Sequence, residues 1–260
     1  MISKSVLKQS FRNNWKLWTI LTGILCFFIT VVIISLNSLI ARKSGDMGRP
    51  IMQNLSLDDV LSNNFLGASG TVSLVMIIFL IITGNKLVAS EIDRGTMSFT
   101  LNAPITRKQI IFTKALFLIC SFVAMIIAVG IFGTAISAIV GAKVNLGKFW
   151  LVILGCLLFG FATSGICFAA SCWFNRSGYS LMIGGGLPAA FFLLSSLSPL
   201  LTINNKEFLK YISLNTLFDS GKILALDAGF LIPTFIVMFA IGAVLYTVGI
   251  IKFLKKDLPL

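Results

Sequence analysis

The chain has 260 residues, of which 57% are hydrophobic and only 12% charged, with a formal net charge of +12 and a mean hydropathy of +0.98. Water-soluble domains are about 45–50% apolar and about 25% charged, so folding on itself in water cannot hide this much apolar surface, and the chain must dissolve in a bilayer. Attraction to anionic lipid headgroups accounts for the basic excess and calls for no nucleic acid.

Residues 2–16 predict an amphipathic helix lying along the membrane surface. Leu7, Phe11 and Trp15 recur every four residues on one face, and Lys4, Lys8, Arg12 and Lys16 on a neighbouring face. The basic stems can cover apolar surface while their heads reach the headgroups. The apolar run that follows is too long for a secretory leader.

A membrane-crossing helix needs about 20 mostly apolar residues, because the hydrocarbon layer is ~30 Å thick and a helix rises ~1.5 Å per residue. Six runs qualify: 17–40, 71–90, 108–141, 149–173, 179–201 and 230–253. Barrel strands are only ~9–11 residues long and alternate in polarity, so these runs predict an all-α membrane protein, a single domain over 1–260. Between the first two, residues 41–70 hold Asp46, Asp58 and Asp59 and predict a solvated loop.

Lys and Arg accumulate on the cytoplasmic side of membrane proteins. With the N-terminus inside, the inner segments carry Lys4, Lys8, Arg12, Lys16, Lys86, Arg94, Arg107, Lys108, Lys114, Arg176, Lys252, Lys255 and Lys256, thirteen in all. The outer segments carry eight: Arg42, Lys43, Arg49, Lys143, Lys148, Lys206, Lys210 and Lys222. Both termini are therefore expected in the cytoplasm, together with the polar segment after the second span.

That segment, residues 90–110, crowds Glu91, Asp93, Arg94, Arg107 and Lys108 between two greasy runs. Ser90 is placed to cap a short helix with Glu91 and Asp93 in its first turn, where the positive end of the helix dipole favours acids. Pro104 stops that helix. Thr106, with Gln109 three residues on, predicts a capping box opening the third span. Met97, Phe99 and Leu101 are apolar where a protein or lipid surface would welcome them. Two caps, a fixed break and mixed charges beside apolar residues suit docking to another protein.

The spans exclude several functions. No Asp or Glu lies deep in a span, although ion-driven carriers usually need an ionisable group or an unwound helix at mid-membrane. Unwinding is suggested only by Gly184-Gly185-Gly186 and Pro188 in the fifth span. The nearest phosphate-loop look-alike, residues 141–149, has one residue too many between its glycines and Phe149 where a Ser or Thr should be. With no histidine, no Ser/His/Asp or Cys/His set can form, so no enzyme is expected. Cys26, Cys120, Cys156, Cys167 and Cys172 read as packing residues, with no disulfide frame and no metal. Gly155, Gly160 and Gly165, with Ala162 and Ala169, lighten the fourth span for close packing within the chain.

The stretch Glu-x-Asp-x-Gly-Thr (91–96), then Pro104-Ile105-Thr106-Arg107, then Lys114, resembles the permeases of type-2 ABC exporters, and so does the layout of the whole chain. The resemblance implies a membrane subunit with no catalysis and no cofactor of its own. ATP and Mg would be held by a separate ABC ATPase subunit, present in two copies. In such permeases the segment after the second span is a coupling helix, so Glu91, Asp93, Arg94, Gly95 and Thr96 would meet the ATPase. Gly95 would permit close approach or a tight bend, and Pro104, Thr106 and Arg107 would brace the segment. It also implies short re-entrant outer helices between the fifth and sixth spans. Phe208, Leu209 and Ile212, then Leu217, Phe218, Ile223 and Leu224, supply their apolar stripes. The expected function is ATP-driven export of amphipathic peptides, antimicrobials or other hydrophobic molecules across a bacterial plasma membrane. A second permease copy or a paralogue would complete the path. The alternative is a non-transporting immunity protein that sequesters a toxic peptide.

Overall fold

The structure is a computed structural model and describes residues 3–43, 61–97, 106–141, 144–201, 217–224 and 228–256. In chain order its helices are α1 (Lys4–Lys43), a π-helical turn (Leu61–Leu66), α2 (Thr71–Leu87), α3 (Ala89–Asp93), α4 (Arg107–Val140), α5 (Leu146–Trp173), α6 (Ser177–Leu201), α7 (Ser220–Leu224) and α8 (Ala228–Leu254). Six of them are long and apolar enough to cross a membrane, and they follow the six sequence runs closely. Because six helices alternate in direction, the start of α1, the links from α2 to α4 and from α5 to α6, and the end of α8 share one end of the bundle. It is called the acidic end below.

The surface helix and the first span were expected as separate elements, but they form one unbroken helix. Residues 4–22 contain no Gly or Pro, so nothing interrupts propagation. At ~1.5 Å per residue α1 is about 60 Å long, twice the ~30 Å of hydrocarbon. Even a tilt of ~40° leaves its first turns outside lipid. The stripe it buries is Val6, Ser10 and Asn14. Leu7 is half-buried, and Phe11 and Trp15 are exposed on the adjoining face. Lys4, Lys8, Arg12 and Lys16 are exposed, as the pattern required.

Helices α2 and α5 are the most enclosed, and small residues let their neighbours reach them. A side chain on Gly165 would meet the backbone of Gly242 at 3.2 Å, and one on Gly160 would meet Met76 Sδ at 2.7 Å. Around the first contact, Tyr246 of α8 donates to Ser164 Oγ at 2.8 Å, and its ring packs on Phe161 and Phe168. The light face of the fourth span is thus an intrachain seam. The glycine triplet of α6 plays the same part. Gly184 faces Cys167 and Ala170, Gly185 faces Ile81, and α6 continues through Pro188 without unwinding. The phosphate-loop look-alike lies in the turn from α4 to α5. Gly141 ends α4 at φ 68°, and the Asn145 side chain accepts from the amides of Gly147 and Lys148 to start α5.

At the far end, two segments enter the bundle. The loop expected to be solvated at 41–70 ends in the π-helical turn, which buries Leu61, Phe65 and Leu66; its residues 44–60 lie outside the described residues. Gly70 is needed there, since a Cβ would stand 2.4 Å from the Phe65 carbonyl oxygen. Before α7, Phe218 stacks on Phe159 with ring centroids 5.7 Å apart. Phe159 lies halfway along α5, so this connection reaches well into the span layer. Leu217, Phe218, Ile223 and Leu224 are partly or fully buried, whereas Phe208, Leu209 and Ile212 lie outside the described residues.

Gly165→Leu is expected to force α5 and α8 apart, because backbone faces it and cannot move aside. Overpacking of this kind costs about 1–3 kcal/mol. Thermal unfolding in detergent should show the loss, whereas Gly186→Leu, with open space around it, should unfold as the unsubstituted chain does.

Candidate functional site

The site is the acidic end, where the chain breaks between α2 and α3. Val88 adopts φ −125° and ψ −66°, which turns the five-residue α3 away from α2. A new helix start leaves amides without partners. Ser90 was expected to cap this one, but it lies inside α3, and the N-cap residue Val88 offers no side-chain hydrogen bond. The amide of Ala89 donates instead to Ser171 Oγ of α5 at 3.0 Å. The cap therefore comes from a different span, and α3 is tied to α5.

Lys114 is the centre of the site. It lies in the second turn of α4, is 1% exposed, and forms an ion pair with Glu91. Its Nζ also donates to the Leu87 carbonyl at 2.6 Å and sits 3.7 Å from Met97 Sδ. A lysine taken out of water needs both a counter-charge and filled hydrogen bonds, and this one has a carboxylate and a carbonyl. The carbonyl is one that the end of α2 cannot use within its own helix. The pair thus satisfies α2, α3 and α4 at a single point.

The remaining polar residues spread the ties. Asp93 Oδ2 accepts from the Ser177 amide at 3.3 Å, at the N-terminus of α6, where the helix dipole favours a carboxylate. Asn85 Nδ2 donates to Ser177 Oγ at 2.7 Å. Lys86 Nζ donates to the Asn13 carbonyl of α1 at 2.6 Å. At the end of α5, Lys256 Nζ donates to the carbonyls of Cys172 and Trp173, at 3.1 and 2.9 Å. Lys252 lies 4.6 Å above the Trp173 ring.

Beyond α3 the chain turns at Gly95, whose φ is 68° and whose amide donates to the Ile92 carbonyl at 3.0 Å. A Cβ there would touch nothing within 4 Å, so the tight bend, and no close approach, explains the glycine. For other residues that left-handed conformation costs roughly 1–2 kcal/mol. Thr96 Oγ1 donates back to the Glu91 carbonyl at 3.2 Å. Asp93, Arg94, Gly95 and Thr96 are exposed, while Met97 is buried against Lys114. Pro104, with Phe99 and Leu101, lies outside the described residues. Thr106 opens α4 with the expected capping box: its side chain accepts from the Gln109 amide at 3.4 Å and Gln109 Oε1 from its own amide at 3.3 Å. Arg107 follows, exposed, in the first turn.

Glu91 and Asp93 are thus held by the spans through their carboxylates, and Arg94, Gly95 and Thr96 form the open surface. Sequence reasoning gave no bracing role to Ser171, Ser177, Asn85 or Lys86. Only Lys114 carried a signal, as a lone charge within an apolar run.

A model of the family described as ABC-2 family transporter protein matches residues 4–258, nearly the whole chain. No curated protein matches. The chain belongs to the ABC-2 family, and is thus a permease subunit of an ABC transporter and a multi-pass membrane protein. The family leaves catalysis outside the membrane subunit and implies association with an ABC ATPase.

Breaking a buried ion pair costs about 3–5 kcal/mol when the charge left behind stays buried. Lys114 is 2% exposed along its side chain and Glu91 20%, so orphaning the lysine is worse. Glu91→Leu is expected to destabilise more than Lys114→Met, and the double variant less than the two single losses combined. Thermal unfolding of all three in detergent closes the cycle; additive losses would show that the pair is not an energetic unit.

Proposed function

We propose that this ABC-2 permease subunit is the membrane part of an ATP-driven exporter, and that residues 91–107 are the coupling segment through which its ATPase moves it. One observation carries the reading: residues 85–97 are bonded at once to α1, α4, α5 and α6, all at one end of the bundle. A limp loop would absorb a push. Here a displacement of α3 reaches the helices, because moving α3 away from α4 would separate a buried charge pair.

The division of labour follows from exposure. Arg94, Gly95 and Thr96, with Arg107, form the face offered to the ATPase, while Glu91, Asp93 and Thr106 hold the segment to the bundle; Pro104 completes the brace. The thirteen-to-eight distribution of Lys and Arg supports a cytoplasmic position for this end and both termini. Two ATPase subunits, which hold the ATP and Mg, dock below two permease copies, or this chain and a paralogue. ATP binding draws the ATPases together, and the coupling segments tilt the spans so that access passes from inside to outside.

The cargo is amphipathic or hydrophobic: a peptide, an antimicrobial or a lipid-like molecule leaving a bacterial cell through its plasma membrane. The outward faces of the spans are rich in residues such as Phe132, Ile139, Met182, Leu193 and Phe239, and no carboxylate lies deep in a span to bind an ion.

Purification of the chain from its native membrane is expected to bring an ATPase with it. Arg94→Glu reverses a charge on the open face and should release that ATPase while leaving thermal stability within the ~0.5 kcal/mol typical of surface changes. Retention of the ATPase by an Arg94→Glu/Arg107→Glu double variant would show that docking occurs elsewhere. Protection of cells against a toxic peptide that persists after the ATPase is lost would favour sequestration over export.

A further inference from the structure

Between the first half of α1 and α4 runs an apolar groove of about 370 Å³, within the ~300–1,000 Å³ of small-molecule sites. Phe11, Trp15 and Trp18 form one wall, Phe117 and Ala124 the other, and Phe79 of α2 lies buried between them. Two polar side chains face it. Ser121 is satisfied, since its hydroxyl donates to the Leu118 carbonyl and its own carbonyl accepts from Trp18 Nε1. Asn14 is not. It is 3% exposed, its Nδ2 donates to the Ser10 carbonyl at 2.9 Å, and its Oδ1 has no partner. A buried acceptor without a donor is uncommon and costly, but this oxygen is closed off from the groove as well, so the surface the groove offers an occupant is apolar.

The surroundings narrow the class of occupant. Lys8 and Arg12 follow Leu7 and Phe11 in the chain, so they stand one helical step round from the groove. Both are exposed, and neither has a carboxylate partner among the described residues. A peptide would bring backbone amides and carbonyls that these apolar walls cannot satisfy, whereas an acyl chain brings none. The groove lies where α1 passes from polar to apolar sequence, at the headgroup level of a bilayer, with Trp15 and Trp18 as interface residues.

We propose that this groove binds an anionic glycerophospholipid drawn from the leaflet at the acidic end. One acyl chain lies along Trp15, Trp18 and Phe117, and the phosphate meets Lys8 and Arg12. Occupancy bears on the coupling site, because α1 is tied to it by the Lys86–Asn13 bond and by the Ser3 amide donating to Thr113 Oγ1 at 3.2 Å.

Tryptophan quenching by chain-brominated lipids tests this. In the full chain carrying Trp150→Phe and Trp173→Phe, only Trp15 and Trp18 report. In reconstituted vesicles, brominated phosphatidylglycerol should quench at a several-fold lower mole fraction than brominated phosphatidylcholine. Lys8→Gln with Arg12→Gln should remove most of the preference for anionic lipid. Ala124→Phe, at an exposed position of the groove wall, should abolish the preference without touching the core, and thermal unfolding would check that it does not. Equal quenching by the two lipids would overturn the proposal, as would a preference that survives Ala124→Phe. Absence of quenching by any lipid would mean that protein covers the groove, and would overturn it too. The assay needs neither ATPase nor transport, so its failure and that of the exporter reading are distinguishable.

Discussion

A lysine ammonium with almost no access to water must be met by an opposite charge, and the acidic end of this protein is organised by that requirement. Lys114 sits at the start of α4, where the helix is already packed on its neighbours. Glu91 must therefore be held close, and holding it there fixes the axis of α3. The break at Val88 lets α3 leave the line of α2 to bring Glu91 in, and it leaves the Leu87 carbonyl free for the same ammonium. The bend at Gly95 then returns Met97 to cover the pair. Each irregularity of residues 87–97 has its reason in one buried charge.

The two ends of the bundle are built from different forces. At the acidic end the helices are joined through directional bonds: Asp93 to Ser177, Asn85 to Ser177, Ser171 to Ala89, and Lys256 to the last carbonyls of α5. At the far end, among the described residues, apolar contacts predominate, with Phe218 on Phe159 and the buried residues Leu61, Phe65 and Leu66, beside the hydrogen bonds of Asn37 to the Val140 carbonyl and Ser73 to the Gly67 carbonyl. Directional bonds keep geometry under load, because each has a narrow range of length and angle. Apolar contacts have no preferred direction and tolerate sliding. The end with more directional bonds is the one where a displacement would pass between helices with the least loss. Between them, the small-residue seams of α5 against α8 and α6 bring helix backbones close together.

The sequence made the spans legible because run length and hydropathy are properties of the segment alone. The Thr106–Gln109 capping box and the bend at Gly95 were legible for the same reason, as local backbone solutions with residue-specific chemistry. What escaped depended on partners distant in the chain. Ser90 had the right chemistry for a cap, yet Ser171, 82 positions from Ala89, supplies it. The resemblance offered the carboxylates of Glu91 and Asp93 to the ATPase, and could not show that Lys114 and Ser177 also use them. The division of the N-terminal segment at residue 16 followed a change of composition, and a helix need not stop where composition changes if no Gly or Pro interrupts it. The end of the 41–70 loop read as solvated from its acids, but Leu61, Phe65 and Leu66 form an apolar patch whose burial only the neighbouring spans could reveal.

The continuity of α1 also bears on how the membrane itself acts on the protein. A separate surface helix could shift with the headgroups and leave the span behind it undisturbed. An unbroken helix cannot, since displacing its first turns rotates or tilts the rest. α1 packs along the length of α4, from Trp18 on the Ser121 carbonyl to Asn37 on the Val140 carbonyl. Lys86 ties it, through Asn13, to the base of α2. The groove between α1 and α4 therefore lies in the angle between two helices that both reach the Glu91–Lys114 pair and its neighbours. Whatever fills it bears on that angle. Lys8 and Arg12, exposed one helical step round from it, make its filling depend on the charge of the surrounding lipid.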